Sequence, residues 1–366
     1  TPMNRGFYTI MAAQFFSSLA DNALLISAIA LLREIDAPAW MTPMLKLFFV
    51  VSYVVLAAFV GAFADSFPKG RVMFITNLIK VGGCLLMLFG VHPLLAYAVV
   101  GFGAAAYSPA KYGILTELLP PEKLVVANGW IEGLTVTSII AGFLLGGVLI
   151  SPRVSEALLA FNLPMFDTGI DLPAEAAIAV ITSVYVIATL FNLGIPDTGA
   201  RYAKQHVHPW KLLVGFAHCC SVLWRDKLGQ ISLAVTTLFW GAGATLQFIV
   251  LKWAEQVLGL DLSRAAILQA VVAVGIAVGA VYAASTVALR HSMRVLPVGT
   301  AMGIIVALAS FYTPALAPAG SVSFGFASMS WFLLIACGIL VVIGGLARYF
   351  FAPRNAMLHH RGHVLL

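Results

Sequence analysis

The chain has 366 residues, of which 61% are hydrophobic and 10% charged, with a formal net charge of +6. Soluble domains carry about 25% charged residues, so a single water-facing globule is excluded. The basic surplus is scattered through loops rather than gathered into a nucleic-acid patch, and the four cysteines (Cys84, Cys219, Cys220, Cys337) lack metal-ligand spacing and are read as packing residues.

A bilayer core requires about 20 apolar helical residues per crossing. Leu47–Ala64, Ala176–Pro196, Leu228–Leu251, Ala265–Leu289 and Leu296–Ala347 contain no Asp, Glu, Lys or Arg. The last is interrupted by Pro314, Pro318 and Gly320, which predicts two crossings and a turn. No segment alternates polarity as an outer-membrane strand does. The predicted crossings are 7–32, 43–64, 72–91, 93–117, 124–150, 174–196, 229–251, 265–289, 295–313 and 323–347. With the N-terminus in the cytosol, the cytosolic segments hold Arg5, Lys69, Arg71, Lys123, Arg201, Lys204, Lys211, Arg225, Lys227, Arg290, Arg294, Arg354 and Arg361. The opposite side holds only Arg33, Lys46, Arg153, Lys252 and Arg264, so the positive-inside rule places both ends in the cytosol.

In the first crossing Gln14, Ser17, Ser18 and Asp21 recur at helical spacing and predict a polar face toward a cavity, with Asn22 beside it. A carboxylate inside a crossing is costly and usually functional. Asp21 is read as the partner of a substrate ammonium or the carrier of a coupling proton; the plainer reading is a structural partner for a nearby basic residue. Between crossings two and three, Gly61-Ala-Phe-Ala-Asp65-Ser-Phe-Pro-Lys69-Gly70-Arg71 predicts a conformational latch. Gly61 permits close helix contact, Gly70 a tight turn, and Asp65 an ion pair. Lys80 in crossing three, Glu132 in crossing five and Arg348 in crossing ten are candidates for an ionic network, Arg348 also for phosphate binding.

In crossing four Pro109 loosens the helix before Lys111, which is placed to attract a phosphate; the plainer reading is snorkelling to the interface. Tyr107 joins the same candidate site. Crossing five carries Gly129, Ser138, Gly142, Phe143, Gly146 and Gly147, small residues that serve first as packing devices. The loop 151–173 lies outside as an ordered cap, without assigned chemistry. The stretch 197–228 is a cytosolic linker with a basic, Trp-containing amphipathic segment around Trp210–Trp224, of the kind that lies in a membrane interface. In crossing seven Thr236, Trp240, Gly243 and Gln247 share a face, and Phe15, Phe16, Phe239 and Trp240 would suit an acyl chain.

Tyr107-Ser-Pro109-Ala-Lys111 is weakly echoed by Phe351-Ala-Pro353-Arg-Asn355. Six crossings, a linker and an echoing second part predict an all-α membrane protein of two pseudo-symmetric bundles. The divisions are 1–196, a six-helix bundle; 197–228, the linker; and 229–366, four helices of an expected six. Twelve crossings are thus expected of the complete protein, ten of them in this chain.

The Gly61–Arg71 segment resembles the cytosolic signature of the major facilitator superfamily, which implies that fold. A finer resemblance is to the bacterial lysophospholipid transporter family. It rests on Ala13–Leu25, Ala64–Arg71, Gly103–Leu115 with its Ser-Pro-Ala-Lys-Tyr-Gly run, Lys123–Gly129 and Leu238–Leu246. The family departs from this sequence near Gln247, where its members carry Arg. The resemblance implies a flippase that moves lysophosphatidylethanolamine and lysophosphatidylglycerol from the outer to the inner leaflet of the bacterial inner membrane. An intracellular acyltransferase then remakes the diacyl lipid. It further implies a monomer surrounded by membrane lipids, with no metal, prosthetic group or nucleic-acid partner. The alternative is a proton-coupled efflux carrier for amphiphilic drugs, which the crossing-five glycines support weakly. A lipid-remodelling acyltransferase is disfavoured, since none of the eight histidines has an Asp five residues on. Intramembrane Asp21 argues against an inert scaffold.

Overall fold

A computed structural model describes residues 5–160, 170, 172–199, 209–286, 296–312, 314–323 and 328–347. The chain divides into two compact units, 1–217 and 218–366, and the division falls within the 197–228 stretch. The described residues are nearly all helical, and every predicted crossing contains a helix.

The first unit holds α1 (Arg5–Glu34), α2 (Met41–Leu56), α3 (Val60–Ser66), α4 (Lys69–Leu88), α5 (Pro93–Leu118), α6 (Pro121–Leu149), α7 (Pro152–Leu159) and α8 (Pro173–Leu193). α5, α6, α7 and α8 each begin on proline. There the fixed φ suits the first turn and the missing N–H costs no hydrogen bond. α1, α4, α5, α6 and α8 are long and apolar enough to cross a membrane, and α2 with α3 forms a sixth, broken candidate. The second predicted crossing therefore differs from a straight helix: α2 and α3 meet at a 68° bend. At the break Ala57 and Phe59 donate three residues back, to Val54 and Leu56, in place of the α-helical ladder. α7 is the short helix of the predicted 151–173 cap.

Within this unit α1 packs against both α6 and α8, while α5 packs against α2 and α4. Close approach depends on missing side chains. A Cβ on Gly101 would lie 2.5 Å from the Phe49 carbonyl oxygen, and one on Gly142 2.7 Å from that of Leu19. At one end of the bundle the Glu34 carboxylate, closing α1, accepts from the Ala174 amide at 3.1 Å. A carboxylate there also suits the positive end of the α8 dipole. Phe7, Ile10, Met73, Ile114 and Ile131 form an apolar core at the other end.

The boundary between the units falls inside α9 (Pro209–Arg225). The second unit then holds α10 (Lys227–Gln256), α11 (Leu262–Thr286), α12 (Leu296–Ala309) and α13 (Trp331–Ala347). Here the prediction for the tenth crossing is corrected at its start. Helix does not begin at residue 323: Ser321–Ser323 pairs antiparallel with Ser328–Ser330, and α13 begins at Trp331. Tyr312 fixes this corner, donating to the Phe332 carbonyl at 2.6 Å while its ring stacks on Phe332. α11 and α13 meet at Gly275 and Gly344, where any Cβ would strike the opposing backbone.

Candidate functional site in the first bundle

The polar residues of α1 divide between two neighbours rather than sharing one cavity-facing surface, which corrects the single-face expectation. Ser17 and Asp21, one turn apart, point toward α4 and α8. Gln14 and Ser18, also one turn apart, point toward α6. Gln14 Nε2 donates to Thr135 Oγ1 at 3.0 Å, and Ser138 Oγ donates to Ser18 Oγ at 2.8 Å. Asn22 is spent on its own helix, donating to the Ser18 carbonyl at 2.8 Å.

The α4 and α8 side holds the charged centre. Lys80 Nζ lies 3.0 Å from Asp21 Oδ2 and donates to Ser17 Oγ at 2.9 Å. The Tyr185 hydroxyl donates to the other Asp21 oxygen at 2.5 Å, and Ser17 donates onward to Asn77 Oδ1 at 2.8 Å. Aromatic rings complete the enclosure, with Nζ 5.0 Å from the Tyr107 centroid and 5.7 Å from that of Tyr185. A cation over tyrosine faces is favoured by the ring quadrupole. The Lys80 side chain is 2% exposed, whereas that of Asp21 is 24% exposed, so Asp21 is the accessible edge of the pair. The Asn77 amide nitrogen and Tyr107 hydroxyl are buried near one another, outside hydrogen-bonding geometry.

Lys80, expected as a member of an ionic network, is thus the direct partner of Asp21, in line with the plainer reading of Asp21 as the partner of a nearby basic residue. Tyr185, Ser17 and Asn77 complete the cluster. Sequence reasoning missed Tyr185 and Asn77 as site residues; each shares its crossing with other polar residues, such as Thr76 and Lys80 in α4 and Thr182 and Thr189 in α8, so neither stood out. Lys111 stands apart. Its ammonium lies 4.7 Å from the Tyr112 ring centroid and within electrostatic reach of Lys80, Asp21 and Glu132. Phe16 stacks on Phe191 of α8, so it serves helix packing here, and it contacts its neighbour Phe15 edge-on. In the second unit the Gln247 carbonyl accepts from Gln269 at 2.8 Å. The Trp240 side chain, Arg348 and the Phe351–Asn355 echo lie outside the described residues.

The predicted latch is a second lysine-centred cluster. Lys69 Nζ lies 3.0 Å from Asp65 Oδ1 and 3.5 Å from Glu117 Oε1, and it donates to the Ala64 carbonyl. Glu117 also accepts from Thr198 at 2.8 Å, so the network reaches the start of the linker. Glu117 was not anticipated. The roles given to two glycines are corrected: a Cβ on Gly61 would meet nothing within 4 Å, so it mediates no close helix contact, and Gly70 sits within α4 rather than in a turn. Its bare Cα faces Ile195, whose Cγ2 would lie 3.1 Å from a Cβ. Arg71 is exposed beside a cavity of about 420 Å³ that Lys69, Asn192, Asp197 and Thr198 also line.

A broken apolar helix bundle with a buried ion pair at mid-helix defines a polytopic membrane protein of the transporter class. The chain belongs to the Major Facilitator Superfamily, whose sequence model matches residues 10–365, and within it to the lysophospholipid transporter family. A Yersinia enterocolitica protein named lysophospholipid transporter LplT is 42% identical over 361 residues, covering 98% of this chain and 80% of the relative. Its Yersinia pestis (strain Pestoides F) counterpart is 40% identical over the same shares. Among solved structures, a point mutant of the nucleoside transporter NupG superposes with a TM-score of 0.68 at 12% identity, covering 97% of this chain and 86% of that one. A bacterial homologue of the human lysosomal transporter Spinster, inward-facing and occupied, superposes at 0.65 with 15% identity, covering 98% and 77%. These two likenesses concern the fold alone.

Proposed function

We propose that this protein is a secondary transporter that moves lysophospholipids, lysophosphatidylethanolamine and lysophosphatidylglycerol among them, from the outer to the inner leaflet of the bacterial inner membrane. It works by alternating access with its N-terminus in the cytosol and delivers substrate for re-acylation inside. The observation that carries this reading is identity of 40–42% along 98% of the chain to proteins named lysophospholipid transporters.

The chemistry of the first bundle supports it. A lysophospholipid head is charged and must not cross hydrocarbon unpaired. Its acyl chain would cost about 0.8 kcal/mol per methylene in water, so it stays in lipid and enters sideways. Asp21 presents the exposed edge of its carboxylate to an ethanolamine ammonium. Lys111, half-buried on α5, takes the phosphate. A zwitterionic head brings one charge of each sign, so its entry leaves the net charge of the site unchanged. Gly142 and Gly146 seat α6 on α1, the packing role read first for these small residues.

The test is uptake of labelled lysophosphatidylethanolamine into spheroplasts by the parent, Lys111→Ala and the doubly neutral Asp21→Asn/Lys80→Met variant. Transport by the parent, with loss in both variants at normal membrane levels, is the expected result. A folded parent that takes up no lipid above empty membranes would sink the assignment.

A further inference from the structure

We propose that α9 lies in the headgroup layer of the bilayer as a surface-bound helix, with its apolar arc among acyl chains and a basic edge on anionic lipid phosphates. The inference starts from what α9 lacks. None of its 17 residues is buried, although it is apolar along much of its length. Trp210 is 67% exposed, Val214 52%, Trp224 49%, Phe216 46% and Leu213 42%. At about 100° per residue, these five fall within an arc of about 160° on the helix circumference. Lys211, His218 and Arg225 fall together outside it, within about 40° of one another. The two tryptophans stand 14 residues apart, about 21 Å along the axis, so the arc is anchored at both ends by side chains that favour a membrane interface.

The position of α9 says what covers this face. It is flanked by apolar helices, α8 ending at Leu193 and α10 beginning at Lys227. The corner into α10 is rigid. Asp226 caps α10 through the Gly229 amide at 2.9 Å, and a Cβ on Gly229 would lie only 2.7 Å from the Leu223 carbonyl of α9. α10 carries the uncharged run Leu228–Leu251, long enough for a crossing, so a segment held by a tight corner at its start is held at the bilayer surface. There a large apolar arc edged by the cations Lys211 and Arg225 is the pattern of an interfacial helix, whose affinity combines buried apolar area with attraction to anionic lipid. A soluble protein partner would leave that corner and the paired tryptophans unexplained.

The experiment uses the full chain in lipid nanodiscs, with Cys84, Cys219, Cys220 and Cys337 replaced. A nitroxide is placed singly through Lys211→Cys, Leu213→Cys, Ala217→Cys or His218→Cys. Labels at 213 and 217 should collide several-fold more with lipid-soluble oxygen than with a water-soluble nickel chelate, with the ratio reversed at 211 and 218. The contrast should grow at least twofold when phosphatidylglycerol replaces phosphatidylcholine. Equal nickel access at all four sites overturns the proposal, as does exclusion of both reagents from 213 and 217, which would mean that protein covers the arc. A contrast indifferent to lipid charge overturns the role given to the basic edge. A Trp210→Ser/Trp224→Ser variant labelled at 217 should lose the oxygen preference while remaining in the disc.

Discussion

The first bundle holds two buried lysines that solve the same problem differently. Lys80, at mid-helix, has one carboxylate, a serine and two tyrosine rings around it. Lys69, at the first residue of α4, has two carboxylates and a backbone carbonyl, and its network continues to Thr198. The mid-helix cluster is charge-balanced with nothing to spare. The terminal one has a surplus acid, half-open to its surroundings through Asp65, whose side chain is 38% exposed. A balanced pair in a dry place is sensitive to the loss of either member, whereas a redundant network near the interface tolerates loss.

That difference predicts a ranking. Asp21→Asn should be the most damaging single change, because it leaves the Lys80 ammonium buried without a counter-charge. Breaking a buried pair this way costs about 3–5 kcal/mol. The Asp21→Asn/Lys80→Met double variant should recover most of that loss, which thermal unfolding in detergent followed by size-exclusion fluorescence would measure. Equal instability of the single and double variants would mean that the pair is not what Asp21 contributes. At the second lysine, Glu117→Gln should cost less, about 1–2 kcal/mol, since Asp65 still neutralises Lys69. Asp65→Asn should cost under about 1 kcal/mol, as exposed ion pairs do. A loss at Glu117 as large as that at Asp21 would erase the proposed contrast.

How much of this was readable in the sequence follows from the range of each interaction. The crossings of the first bundle were legible because uncharged runs such as Ala176–Pro196 and loop punctuation are local. Asp21 was legible as an anomaly, a lone acid in an apolar helix. Its partners were not. Lys80 lies 59 residues away and Tyr185 164 residues away, and spacing along one helix says nothing about which neighbour it meets. The same limit made Gln14, Ser17, Ser18 and Asp21 look like one face, although α1 sits between α6 and α8 and divides them. Gly61 misled in the opposite direction. Its place in a recognised motif suggested close packing, yet no side chain or backbone approaches its Cα position. The strand pair Ser321–Ser323 and Ser328–Ser330 escaped because each strand is only three residues long, too short to show an alternating pattern within an apolar run.

The smallest expected effect sharpens the comparison at the point where the second cluster leaves the bundle. Thr198 Oγ1 donates to Glu117 Oε2 at 2.8 Å, and this hydroxyl joins the start of the linker to the Lys69 network. Thr198→Val keeps the shape and removes the donor, leaving a carboxylate that still has Lys69. The stability loss should therefore be no more than about 0.5–1.5 kcal/mol, that of one ordinary hydrogen bond. Its local signature should be larger than its global one. With the tether gone, amide hydrogen exchange should quicken at Asp197–Gly199 while α4 and α5 keep their protection. Unchanged exchange there would make the contact incidental. Faster exchange spreading through α4 and α5 would mean instead that the terminal cluster lacks the redundancy assigned to it and depends on each of its members as the Asp21–Lys80 pair does.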